Sequence, residues 1–127
     1  MKVKIGRYKK NEKQKIRIKI DDFDVWNLDF TMALILLPMF KRLRKIKAGA
    51  NAVSDDDVPD ELKSTAAPTD EYGVDENFYK RYEWVLSEII WGLKQLQPPK
   101  RFGTSYEPAR MRNAFRLMGT YWHTFWY

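Results

Sequence analysis

The sequence predicts an α+β domain: an N-terminal basic β-hairpin packed on a three-helix core, with a long acidic loop after the first helix. Three observations lead there. Apolar and cationic side chains alternate with period two over residues 1–20 and no further. Three longer stretches carry apolar residues at three- and four-residue spacing, the signature of a helix face. Between the first two of these the chain turns polar and acidic, from residue 50 to 75. At 127 residues the whole chain, 1–127, reads as a single domain, long enough to bury about two-thirds of its unfolded surface.

The hairpin is assigned to residues 1–21. Val3 and Ile5 alternate with Lys2 and Lys4, and Ile16, Ile18 and Ile20 alternate with Lys15, Arg17 and Lys19, on either side of a polar turn at 9–13. That pattern gives one apolar and one cationic face. Two strands alone are marginal in water, so the hairpin is expected to lie on helices or to pair with another copy. A homo-oligomer, dimer or higher, follows as the expected state. The cationic face of Lys15, Arg17 and Lys19 reads either as edge protection by charge or as a surface for a partner or polyanion.

A first helix is expected over residues 24–47, capped by Asp24 or Asn27 and closed by Gly49. It bears two apolar stripes: Trp26, Phe30, Leu34 and Leu37; and Leu28, Met32, Ile35, Met39, Leu43 and Ile46. A helix apolar on most sides is expected at the centre of a domain, and Pro38 is expected to kink it. The acidic loop of 50–75 contains one expected helical turn at 59–63, and loops of this length tend to be functional or mobile. A second helix is expected over 76–96 from Phe78, Tyr82, Val85, Ile89, Leu93 and Leu96, and Pro98-Pro99 stops it. A short segment containing Gly103 leads to a third helix over 108–125. There Met111, Phe115, Met118, Trp122 and Phe125 are expected to face the core.

The net charge of +6 conceals blocks of alternating sign. Residues 1–20 hold nine Lys/Arg against one Glu, residues 21–40 four Asp, and residues 41–50 five cations. Residues 51–79 hold nine acids against one Lys, and the remainder is net positive. Such blocks can neutralise one another within the fold or an oligomer. The absence of cysteine removes disulfides and thiolate chemistry. The longest apolar run, residues 32–40 with a proline inside, falls short of the about 20 residues a membrane span takes. No signal peptide, no membrane span and a cytoplasmic location are expected.

No catalytic set stands out. Asp21, Asp22 and Asp24, and the triplet at 55–57, lack the glycine and distal glutamate of a calcium loop. His123 has no metal-type ligand beside it, and all six glycines are isolated. The expectation is a non-enzymatic protein with no catalytic residue, metal or cofactor. Rings and guanidiniums, by contrast, cluster. Arg81 and Trp84 share the second helix; Arg112, Arg116 and Tyr121 share the third. Arginine forks grip phosphates or carboxylates bidentately, and aromatic faces stack on bases. A cleft so lined would take an anionic, nucleotide-like ligand; alternatively the tryptophans fill the core and the arginines form a solvated face. Asp29, beside Leu28 and Phe30 within the first expected helix, would need Arg81, Arg112 or Arg116 as a partner if ionised, or would contact the ligand.

Five segments also recur together in one order: Trp26-Asn-Leu-Asp-Phe-Thr31, Ile35-Leu-Leu-Pro-Met39, Asp57-Val-Pro-Asp-Glu-Leu62, Lys80-Arg-Tyr-Glu-Trp-Val-Leu86 with Glu88, and Asn113-Ala-Phe-Arg-Leu-Met-Gly119 with Tyr121 and Trp126. In these the chain resembles an uncharacterised family of small tailed-bacteriophage proteins. It departs from the family pattern at Phe30, where that pattern has histidine, and over residues 96–108, which are shorter. The resemblance implies a phage accessory or structural protein in the host bacterial cytoplasm, and brings no activity or site residues. The expected function is therefore a phage accessory protein, with anti-defence as one such role, that binds and sequesters an anionic nucleotide-like small molecule. The alternatives are a protein–protein inhibitor of a host factor, acting through residues 54–61 or the hairpin, and a nucleic-acid-binding protein using the hairpin.

Overall fold

Alternating residues at the N-terminus form an antiparallel pair, β1 (Lys2–Ile5) and β2 (Ile16–Lys19), with Val3 opposite Ile18 and Ile5 opposite Ile16. Four helices follow: α1 (Asp22–Trp26), α2 (Leu28–Ile46), α3 (Phe78–Gln95) and α4 (Pro108–Thr120). The architecture is α+β, as the sequence predicts. A computed structural model describes residues 1–65, 69–98 and 107–127. The expected breaks at Pro99 and Gly103, and residues 66–68 of the acidic loop, lie outside the described residues.

The hairpin register sets Lys2 opposite Lys19 and Lys4 opposite Arg17, and like charges directly opposite each other destabilise a ladder. Every strand residue is exposed, apolar and cationic alike. The base of the hairpin is tied to α1 by charge: the Met1 ammonium lies 3.0 Å from an Asp24 carboxylate oxygen, and Lys19 lies 4.0 Å from Asp21.

The stretch expected as one helix over 24–47 is divided. Asp21 and Asp24 close a capping box at the start of α1, the Asp24 carboxylate accepting from the Asp21 backbone N–H at 2.8 Å. At Asn27 the backbone leaves the helical region (φ −125°, ψ 64°), and α2 begins afresh at Leu28. It then runs through Pro38 as one element. Ala33 and Phe40 are buried, with Leu36, Leu37 and Leu43 packed beside them. Leu28, Met32, Leu34, Ile35 and Met39 are exposed. The central helix is α3, not the first long one. Tyr82, Val85, Leu86, Ile89, Ile90 and Leu93 are all almost wholly buried, because paired apolar positions give α3 two inward faces. α2 packs against α3, and α4 does too.

On α4 the buried positions are Met111, Ala114, Leu117 and Met118. Phe115 and Trp122, expected to face the core, are exposed. The helix ends at Thr120 and a 3-10 turn over Trp122–Thr124 changes the phase, which turns Trp122 outward. Phe115 is turned out because α3 and α4 touch at Ala114: a Cβ built on Gly92 would lie 2.7 Å from the Ala114 Cβ. Among the described residues no helix is long and apolar enough to cross a membrane.

That close approach makes a prediction. Gly92→Ala gains helix propensity of about 0.8–1.0 kcal/mol but forces a clash between short, stiff groups, an overpacking that typically costs about 1–3 kcal/mol. Net destabilisation of up to about 2 kcal/mol is expected in urea unfolding, and adding Ala114→Gly should relieve the clash. A raised midpoint for Gly92→Ala alone would contradict this packing.

Candidate functional site

The acidic loop is folded back onto the helices by two basic anchors. From α3, Arg81 donates to Asp75 through both terminal nitrogens, at 2.6 and 3.0 Å, and to the Leu62 carbonyl at 3.2 Å. Its Nε lies 3.9 Å from Asp55. Asp55 in turn accepts from the Ser64 backbone N–H and hydroxyl, both at 2.9 Å, and these hold its carboxyl below the usual range. The buried Asn77 amide donates to the Lys63 and Glu61 carbonyls at 3.0 and 3.3 Å. From the end of α4, the Tyr121 hydroxyl donates to Asp57 at 2.5 Å and accepts from the Ser54 backbone N–H at 3.0 Å. Arg116 pairs with the other Asp57 oxygen at 2.8 Å. Burial, and then the Asp57 carboxylate, push the Tyr121 phenol upward.

Local sequence explains why the loop can be gripped. Short 3-10 turns at Asp55–Asp57 and Asp60–Leu62 follow Ser54 and Pro59, and the Ser54 hydroxyl caps the first by accepting from the Asp56 N–H at 3.2 Å. Val53 and Val58 on either side are buried in the core. The second of these turns falls within the helical turn expected at 59–63.

The residues singled out in the sequence thus have separate places. Arg81, Arg116 and Tyr121 converge on carboxylates, but on the chain's own. Trp84 is half-buried against the core and lines a shallow hollow with Lys47, Leu62, Tyr79, Lys80 and Glu83. Arg112 is exposed and makes no ion pair among the described residues. Asp29 is exposed too, because the break at Asn27 places it in the first turn of α2, where a carboxylate complements the helix dipole. Neither is joined to the others. Lys15, Arg17 and Lys19 are exposed along the hairpin.

A second hollow was not singled out in the sequence. An open groove of about 820 Å³ runs between the C-terminal half of α2 and the last turn of the chain. Met39, Arg42 and Ile46 line one side, and Trp122, Phe125, Trp126 and Tyr127 the other. Phe125 meets both Phe40 and Trp122 edge-on, with centroids 4.8 and 6.1 Å apart. Its lining is largely aromatic and aliphatic, with Arg42 as the cation. The signal was present as the density of rings after Thr120; the change of phase in the 3-10 turn hid which of them face outward. Elsewhere a ring-and-cation pair joins two helices: Arg110 of α4 stacks on Trp91 of α3 at 3.9 Å while its fork grips Glu88.

No protein-family model, curated protein or solved structure matches the chain. The chemistry of the groove, the hairpin and the anchored loop is the ground for a functional reading. Among the described residues no group of three or more His, Asp or Glu is placed to hold a metal ion.

The loop anchor has a pH signature. The Arg81 guanidinium holds the Asp75 carboxyl down from 3.8 to about 2. A carboxyl depressed in the folded state contributes in full above its unfolded value and loses that contribution as pH falls through the folded one. The window is therefore between about pH 4 and 2. Asp75→Asn leaves a buried guanidinium poorly compensated and is expected to cost about 3–5 kcal/mol near neutrality. In urea unfolding it should also flatten the acid limb in that window. Combining it with Arg81→Met should recover part of the loss. Parallel acid limbs in wild type and Asp75→Asn would remove the anchor from this account.

Proposed function

We propose that this chain is a non-enzymatic interaction protein whose hairpin and outer α2 side are made to be covered by another protein surface. One observation carries the reading: apolar side chains in regular register stand exposed on secondary structure that cannot cover them. Val3, Ile5, Ile16 and Ile18 line one face of an isolated two-stranded ribbon, and such a ribbon lacks independent stability in water. Contiguous exposed apolar surface of this kind marks interaction sites. The cationic face behind it, with Lys15, Arg17 and Lys19, supplies steering toward an acidic partner. The phage resemblance supports an accessory or structural role in the host bacterial cytoplasm; an anti-defence role, with a host factor as one partner and a homo-oligomer as the working form, is the reading the exposed surfaces fit.

A second reading has its own support. The groove beside Arg42 places a guanidinium among rings, the combination that suits an anionic, nucleotide-like small molecule. Arg81, Arg116 and Tyr121 would serve such a ligand only after release of the acidic loop, and Trp84, Arg112 and Asp29 lie apart from the groove lining. Titration calorimetry against cyclic and ADP-ribose-type nucleotides decides this. Saturable heat that is lost in Arg42→Ala supports capture, and silence across the panel with folded protein removes it.

For the interaction reading, tagged wild type should retain a defined bacterial protein in stoichiometric amount. Ile16→Ser/Ile18→Ser and Lys15→Glu/Arg17→Glu/Lys19→Glu should lose it while keeping the helical unfolding transition, since exposed substitutions shift stability by about 0.5 kcal/mol or less. Equal retention by all three, or none by any, counts against the hairpin as the docking face. A mobility shift on nucleic acid that falls steeply with salt would instead make the cationic face a polyanion site.

A further inference from the structure

We infer that a second copy of this chain covers the outer side of α2, running antiparallel, with the residues around Phe23 and Trp26 of each copy seated in the aromatic groove of the other. The inference rests on the reading of this side as an interaction surface and names its occupant.

The first ground is the stripe itself. Leu28, Met32, Ile35 and Met39 are all exposed and, at 3.6 residues per turn, fall within roughly 60° of one another around the helix. Their spacings of four, three and four read the same in both directions. An antiparallel copy therefore sets Leu28 against Met39 and Met32 against Ile35, twice over, as a two-fold interface requires. The three-and-four alternation is also the seam of helices packed nearly in line.

The ends supply the second ground. Phe23 is 80% exposed and Trp26 76%, and their rings stack on each other at 6.5 Å with no core to enter. The same antiparallel register brings the N-terminal end of α2, with α1 joined to it at Asn27, towards residues 41–44 of the other copy. Arg42 and Leu43 there line the groove. The stripe thus sets a projecting aromatic pair and an open aromatic hollow at the same end of the pairing.

Charge decides the direction. Residues 21–29 contain four aspartates and no cation, and residues 41–47 five cations and no acid; Asp21 and Asp24 are held by the Met1 ammonium, whereas Asp22 and Asp29 make no ion pair among the described residues. Lys41, Arg42 and Lys45 make no ion pair among the described residues, whereas Lys47 is held by Glu83 at 2.7 Å. Antiparallel pairing opposes the acidic end to the basic end. Parallel pairing opposes like to like, which complementary interfaces avoid. The apolar side chains involved suffice in extent: with the exposed rings included they offer roughly 800 Å² per copy, the share of a standard-size interface.

The absence of cysteine from the chain makes the test direct. Leu28→Cys and Met39→Cys chains are oxidised separately and as a mixture, and wild type is examined by sedimentation equilibrium. A dimer at about micromolar concentration, with covalent dimer formed in the mixture and little from either variant alone, supports the arrangement. Ile35→Glu should give a folded monomer. Lys41→Glu/Arg42→Glu/Lys45→Glu should weaken the dimer by about tenfold or more. A wild-type monomer at about 100 µM overturns the proposal, as does ready disulfide formation by Leu28→Cys alone, the mark of parallel helices. A monomer that still retains a lysate protein through the hairpin would end this inference and leave the interaction reading intact. A dimer that retains nothing would uphold this inference and remove only the hairpin as a docking face.

Discussion

Arg81 carries its charge into the helical layer with a side chain only 5% exposed, and a buried cation is tolerated only if it is paired and hydrogen-bonded. Its terminal nitrogens are satisfied by Asp75 just before α3 and by the Leu62 carbonyl in mid-loop, while the Asp55 carboxylate at the loop's first turn adds charge at 3.9 Å from its Nε. Satisfying one guanidinium therefore returns some twenty residues of polar chain to the face of α3. Val53 and Val58 enter the core as a consequence, and Ser54 and Asp57 arrive within reach of Tyr121 and Arg116. Breaking such a pair costs more than the pair contributes, so the loop is fixed in place rather than merely laid down.

The same economy of charge leaves the molecule two-sided. Within the acidic block of 51–79, Asp55, Asp57 and Asp75 find counter-charges on α3 and α4. The basic block of 1–20 does not: its cations oppose one another across the hairpin, and apart from Lys19 beside Asp21 its strand cations have no ion-pair partner among the described residues. An arginine fork that holds its own loop is not free for a ligand, which is why the clustering of rings and guanidiniums in the sequence does not translate into a ligand cleft at Arg81, Arg116 and Tyr121. The hairpin and α2 are where unmet chemistry remains.

Elements whose signal is local were legible. The hairpin follows from period-two alternation, α3 from dense apolar spacing, the start of α4 from Pro108, and the turn at 59–63 from Pro59. What depends on distant partners was not. Asp29 looked internal because Leu28 and Phe30 flank it, yet the break at Asn27 makes it a first-turn carboxylate. Two apolar stripes on α2 suggested a central helix, yet the inward face, Ala33 and Phe40 with Leu36, Leu37 and Leu43, follows neither of them. Trp122 and Phe115 kept helical phase in the sequence, but a 3-10 turn and the contact of Ala114 with Gly92 redirect them. The grip of Arg81 on Asp75 spans a single turn and a loop, and no periodicity encodes it.

A helix apolar all round needs neighbours on opposite sides, and this chain supplies α2 with one. α3 takes its inner face; α4 goes to the other face of α3, since Gly92 and Ala114 let those two approach more closely than larger residues would allow. Once that contact is made, no described element is left to cover Leu28, Met32, Ile35 and Met39. Their exposure is a result of topology, and hydrophobic area is indifferent to which molecule covers it. Direction is another matter. Apolar stripes of symmetric spacing fit either way round, so orientation falls to the charges at the helix ends, where four aspartates and five cations lie about one helix length apart. If a second copy covers this face, apolar contact supplies the adhesion and charge the sense, a division of labour carried by separate stretches between Asp21 and Lys47.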